Sequence, residues 1–153
     1  MAKRKSLKGD SCPVARALDV VGDRWSLLII RDTFDGMRRF GEFQKSLGVA
    51  RNILADRLQT LVAEGILEAA PASDGSAYQE YLLTAKGEGL FMVVVGLRQW
   101  GEKHLFGNGE AHSRMVESAS GKPILKMELR SRDGHLLGPS DTLVRKVGSA
   151  TAG

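Results

Sequence analysis

The run Arg51-Asn52-Ile53-Leu54-Ala55-Asp56-Arg57-Leu58-Gln59-Thr60-Leu61-Val62 decides the fold. Leu54, Leu58, Leu61 and Val62 fall at i, i+4, i+7 and i+8, the stripe of an amphipathic helix, and Asn52, Asp56 and Gln59 lie opposite. Gly65 ends that helix. Immediately upstream, Gly48 and Val49 make a break of a few residues after a short helix expected over 41–47, itself preceded by a short extended piece at Met37 to Phe40. Further back, Asp23 can cap a helix in which Trp25, Leu27, Leu28, Ile29 and Ile30 leave hardly any polar face, which suits the middle of a core. Ser11-Cys12-Pro13 opens a first helix, since proline lacks only an N–H that the first turn leaves unbonded; Val14, Ala17, Leu18 and Val21 follow at helical spacing up to Gly22.

Downstream, residues 66–70 read as a strand, Pro71, Ser73, Asp74, Gly75 and Ser76 as a turn, and 78–83 as the returning strand of a hairpin. Thr84 can cap a long last helix carrying Leu90, Phe91, Val93, Val94, Val95, Leu97 and Trp100. That is more apolar surface than one side of a small domain uses, so Leu90, Val94, Leu97 and Trp100 are expected to meet another subunit. Beyond Phe106 glycines interrupt brief apolar runs. Residues 124–129 and 143–147 alternate enough to be strands, with Asp133-Gly134 as a turn between them. The expected class is α+β, mainly α: a winged helix-turn-helix with a long C-terminal dimerisation helix and a small β appendage. Its expected parts are a basic flexible tail at 1–10, the DNA-binding and dimerisation domain at 11–106, the β-rich appendage at 107–148 and a disordered tail at 149–153.

Two short helices with a tight turn, followed at once by a hairpin, form a layout that suits DNA. A helix fits the major groove and its first residues reach base edges. Arg51 and Asn52 have the right chemistry, guanidinium for guanine and carboxamide for adenine, and Ile53 stands beside them. Arg38, Arg39, Lys45 and Arg57 would hold phosphates. Taken singly, each arginine reads equally well as a surface or salt-bridging residue, and the same topology also serves protein-interaction modules. The net charge of +4 is concentrated in the first ten residues, where Lys3, Arg4, Lys5 and Lys8 face only Asp10. Residues 58–90 are acidic, with five carboxylates against Lys86.

The chain has 153 residues and one cysteine, which excludes an intrachain disulfide and any site built from several cysteine ligands. No apolar run approaches the roughly 20 residues of a membrane span, and the basic N-terminus leads into no apolar signal core, so a cytoplasmic location is expected. His104, His112 and His135 stand at no metal-ligand spacing, and no nucleophile motif or phosphate-binding glycine loop accompanies them. No enzyme, metal or cofactor is expected.

Cys12-Pro13-Val14-Ala15-Arg16-Ala17-Leu18, Gly22-Asp23-Arg24-Trp25-Ser26-Leu27-Leu28-Ile29-Ile30-Arg31, Arg39-Phe40-Gly41-Glu42-Phe43, Arg51 to Leu58, Glu64-Gly65-Ile66-Leu67 and Tyr81-Leu82-Leu83-Thr84-Ala85-Lys86-Gly87 follow one another in order. Together they resemble the HxlR-type branch of MarR-like transcriptional regulators, over roughly two-thirds of the chain. The resemblance implies a homodimeric winged-helix regulator, a repressor occupying a palindromic operator in double-stranded DNA. It also implies that the helix starting at Arg51 is the recognition helix, and that the first and last helices, with Leu18 and Val21 among their residues, form the dimer interface. Two departures stand out: Ala50 replaces the usual capping serine, and the wing turn, residues 71–77, lacks Arg and Lys, so the wing should hold little phosphate. Some relatives sense oxidants or electrophiles through a cysteine at the position of Cys12. There the helix dipole, Arg16 and Lys8 all favour thiolate. A packing role for Cys12, with control by a small-molecule inducer instead, stays open.

Overall fold

The computed structural model describes residues 5–148; the expectations for Lys3, Arg4 and the 149–153 tail lie outside it. The chain divides into two compact units, Met1–Val94 and Val95–Gly153.

In the first unit α1 spans Pro13–Val21, α2 Arg24–Phe34, α3 Phe40–Leu47 and α4 Arg51–Ala63. Two of these helices, α2 and α3, start where a carboxylate meets otherwise unbonded amides. Pro13 opens α1. The Asp23 carboxylate accepts the Trp25 and Ser26 N–H groups at the head of α2, and Glu42 reaches back to accept those of Arg38 and Arg39 ahead of α3. Ala50 precedes α4 with no side-chain cap, as its alanine dictates. The turn from α3 into α4 needs Gly48, whose φ of 62° is left-handed.

Strands β1 (Leu67–Pro71) and β2 (Gln79–Leu83) pair antiparallel, Leu67 opposite Leu83 and Pro71 opposite Gln79. The extended piece before α3 adds one bond to this hairpin: the Arg38 carbonyl accepts the Tyr81 N–H at 2.7 Å. Ile29, Ile30, Phe43, Leu54, Leu58 and Leu61 are fully buried, so α2 is the central helix that its nearly unbroken apolar run predicts.

The last helical stretch differs from expectation. Thr84 does cap a helix, its hydroxyl accepting the Gly87 N–H, but that helix, α5 (Ala85–Glu88), lasts one turn. A second helix, α6 (Phe91–His104), begins after a break at Gly89 and Leu90 and carries on into the second unit. Gly87 and Gly89 are poor helix formers, and Gly87 also lies so close to the Ile66 carbonyl and the Leu83 side chain that a Cβ would overlap them.

The second unit corrects the sequence reading further. Neither 124–129 nor 143–147 forms a strand among the described residues; two isolated bridges, Val116 to Pro123 and Arg130 to Leu136, take their place. The Asp133-Gly134 turn exists, with φ of 87° at Gly134, but it folds the chain on itself, Leu137 N–H to Leu129 carbonyl, instead of joining two strands. A short 3-10 helix follows at Pro139–Asp141. The polypeptide after α6 is fastened by side chains. Arg98 donates to the Ser113 carbonyl and hydroxyl, both at 3.0 Å, and the Gln99 amide donates to the Leu125 carbonyl and accepts the Met127 N–H.

Candidate nucleic-acid interface

The exposed end of α4 is built by its neighbours. Leu54, Leu58 and Leu61 sink one face into the core, which turns Arg51, Asn52 and the 41% exposed Ile53 outward at the first turn. The Arg51 guanidinium lies 5.1 Å over the Phe40 ring, a cation–π contact that orients the fork without neutralising it. Arg51 and Phe40 share an open cleft of about 820 Å³ with Arg39, Lys45, Tyr78 and Tyr81. Lys45, on the last turn of α3, is exposed and has no ion-pair partner among the described residues. Three cations and three aromatic rings thus meet where α3, α4 and the hairpin converge.

The other expected phosphate holders are engaged within the chain. Arg39 donates to Asp74 in the wing turn at 2.6 Å and stands 5.4 Å from the Tyr78 ring. That hydrogen bond raises the Arg39 pKa and holds the Asp74 carboxyl well below the usual carboxylate range. Arg38 lies 3.8 Å from Glu80, a buried carboxylate lowered first by the Ser73 N–H and hydroxyl and then by Arg38. Arg57 pairs with Asp56 at 2.5 Å and with Asp23 at 3.4 Å, which raises its pKa and ties α4 to the head of α2. Burial works to raise the Asp23 carboxyl, but the Ser26 hydroxyl and N–H and Arg57 outweigh it and the net shift is downward. Arg57 is therefore a structural arginine in the free chain, whereas Arg51 and Lys45 present unneutralised charge.

Asp74, Tyr78 and Glu80 were not legible as site residues. The wing's shortage of Arg and Lys was visible, but not that its one aspartate would clasp Arg39 across 35 residues.

Cys12 is exposed and caps α1 with extended backbone, its N–H donating to the Asp10 carboxylate at 2.8 Å. Arg16 donates to the Asp10 carbonyl, and Lys8 lies 3.9 Å from Glu64. Of the residues expected at a subunit interface, Leu18, Leu97 and Trp100 are at least half exposed. Val21, 5% exposed, belongs to the core, and Leu90 and Val94 pack against it, which leaves those three little area for a partner.

Residues 20–108 match the HxlR-like helix-turn-helix family model, more than half of the chain. The chain belongs to the HxlR-like helix-turn-helix family. Among its relatives is the uncharacterised HTH-type transcriptional regulator Rv3095 of Mycobacterium tuberculosis, 46% identical over 92 residues. The match takes in 60% of this chain and 58% of Rv3095, so the chain spans less than two-thirds of that relative's length. Among solved structures, PA1607, described as a candidate transcription factor, is 55% identical with a TM-score of 0.87, over 91% of this chain and 97% of PA1607. The redox regulator HypR in its reduced form is 30% identical with a TM-score of 0.57, over 61% of this chain and 94% of HypR. An HxlR-like chain with this element order has a DNA-binding winged helix-turn-helix fold. No helix among the described residues is long and apolar enough to cross a membrane.

Proposed function

We propose that this HxlR-like chain is a cytoplasmic, homodimeric transcriptional repressor that occupies a palindromic operator. The observation that carries the reading is the first turn of α4, where Arg51 and Asn52 stand exposed beside the cleft that holds Lys45. Arg51 and Asn52 read base edges, with Ile53 offering apolar contact to a thymine methyl. Lys45 binds phosphate as a free cation. Arg38 and Arg39 reach phosphate only by exchanging Glu80 and Asp74 for it. Two half-sites about one DNA turn apart need two linked recognition helices. Exposed Leu18, Leu97 and Trp100 supply apolar area for that linkage.

The test is binding of the purified chain to its own upstream intergenic DNA and to a random duplex across a salt series. Preference for the upstream DNA, with affinity falling as salt rises, supports the operator reading. Equal affinity for both duplexes, or no binding at low salt, favours a protein-interaction module instead.

A second reading concerns control. Cys12 is exposed at the head of α1, and the chain is similar to HypR, a redox regulator solved in reduced and oxidised forms. In this reading, oxidation or alkylation of Cys12 alters α1 packing and the spacing of the recognition helices. Cys12→Ser then keeps DNA binding and loses the response to a quinone or hypochlorite. A response that survives in Cys12→Ser points to a small-molecule inducer.

A further inference from the structure

Of the cations lining the cleft beside α4, Lys45 and Arg51 pair with no carboxylate among the described residues, whereas Arg39 pairs with Asp74. That carboxylate is built into the wing turn. Its Oδ1 accepts the Ser76 N–H at 3.0 Å, Gly75 turns the chain there with a φ of 76°, and its Oδ2 accepts from the Arg39 Nη2 at 2.6 Å. The Arg39 guanidinium also stands over the Tyr78 ring, 5.4 Å from its centre. The pair is open to competitors, since the Asp74 side chain is more than half exposed.

We propose that Asp74 stands in for a DNA phosphate at Arg39 and that this clasp stays closed on the duplex, so that Asp74 limits how tightly the chain holds DNA of any sequence. This rests on the DNA-binding reading above and assigns Arg39 to the wing instead of to the DNA backbone.

An incoming phosphate offers Arg39 what Asp74 already gives, a charge-assisted acceptor. Asp74 gives it from within the same molecule, at high effective concentration, with its carboxylate oriented by Ser76 before DNA arrives. Displacing Asp74 would also leave an unpaired carboxylate beside the DNA backbone, a like-charge contact that opposes the exchange. Titration does not open the clasp near neutral pH, because hydrogen bonds from Arg39 and then from Ser76 hold the Asp74 carboxyl well below its ordinary range. Residues 71–77 contain no Arg or Lys to take up phosphate in place of Arg39. Sequence-independent attraction then comes from few cations, and a larger share of the affinity falls to Arg51 and Asn52 at the base edges.

The experiment uses the full-length chain, with fluorescence anisotropy on the upstream intergenic duplex and on a random one, from about 50 to about 200 mM salt. Asp74→Asn keeps an acceptor for the Ser76 N–H and removes the charge that holds Arg39. It should tighten binding to both duplexes by the same factor, roughly tenfold near 0.1 M salt, and steepen the salt slope by about one, as one added phosphate contact does. In an Arg39→Gln background the same substitution should leave the slope where Arg39→Gln alone puts it, because no cation is released. Equal steepening in both backgrounds overturns the proposal, since Asp74 would then act through its field and not by holding Arg39. A slope that Asp74→Asn leaves unmoved, or an affinity that it weakens, overturns it too: Arg39 then already bonds phosphate, or needs Asp74 to place it. If neither wild type nor Asp74→Asn binds either duplex at low salt, the DNA-binding reading falls and the clasp with it. Wild-type binding combined with any of the earlier adverse results sinks the clasp alone.

Discussion

Leu54, Leu58 and Leu61 of α4 are buried, while Leu125, Leu129 and Leu143 of the second unit, the same residue type, are more than half exposed. The difference lies in what their backbone does. In α4 the repeat of four and three residues lines leucines along one face of a rigid rod, and α2, α3 and the hairpin close over it. Beyond α6, glycines at φ values of 74°, 71° and 87° (Gly109, Gly121 and Gly134) turn the chain before any face can form. Apolar residues make a core only where a regular element first sorts them to one side.

The largest expected effect tests that contrast directly. Leu58→Ala should cost about 2 to 5 kcal/mol of stability by chemical denaturation, as a leucine removed from a packed core does, while Leu129→Ala should leave the midpoint unmoved. Equal losses would erase the distinction between the units. Next come the cations of the first unit. Arg51→Ala should cost about 1 to 3 kcal/mol on the operator and relax preference at one base position, whereas Lys45→Ala should weaken all duplexes alike and reduce the salt slope by about one. Fluorescence anisotropy on specific and random DNA reads both, and an Arg51→Ala loss that is uniform across duplexes contradicts a base-reading role.

A smaller gain is expected at the uncapped head of α4. Ala50→Ser supplies the missing acceptor and should add about 0.5 to 2 kcal/mol by thermal melting. The smallest effect is on acid stability. The folded Glu80 carboxyl titrates below its ordinary value of 4.5. Its contribution is therefore complete above that pH and is lost as pH falls through the lower folded value. Glu80→Gln should flatten that part of the stability profile by lowering the neutral-pH plateau toward the acid value; an acid limb identical to wild type would show that Glu80 does not drive it.

Much of the first unit was readable because its signals are local. Pro13, Asp23 and the leucines of α4 each act within one or two turns, and so did Ala50, whose missing cap the structure reproduces. What escaped was long-range or marginal. Nothing near Arg57 announces that Asp23 lies 3.4 Å away, and nothing near Arg39 that Asp74 will close on it. Thr84 predicted a helix start correctly, but the two glycines that cut the helix after one turn act by small energies that periodicity outvoted. The expected strands at 124–129 and 143–147 failed for another reason: alternation is necessary for a half-buried strand but does not supply the neighbour to which it must bond.

Gln99 shows how one side chain can stand in for such a neighbour. Its carboxamide carries an N–H donor beside a carbonyl acceptor, as a peptide group does, and it meets the Leu125 carbonyl at 3.0 Å and the Met127 N–H at 2.8 Å. Slippage of the chain past Gln99 by a single residue would mismatch both bonds. Gln99 therefore acts as a detent, fixing the register of residues 125–127 against its own helix.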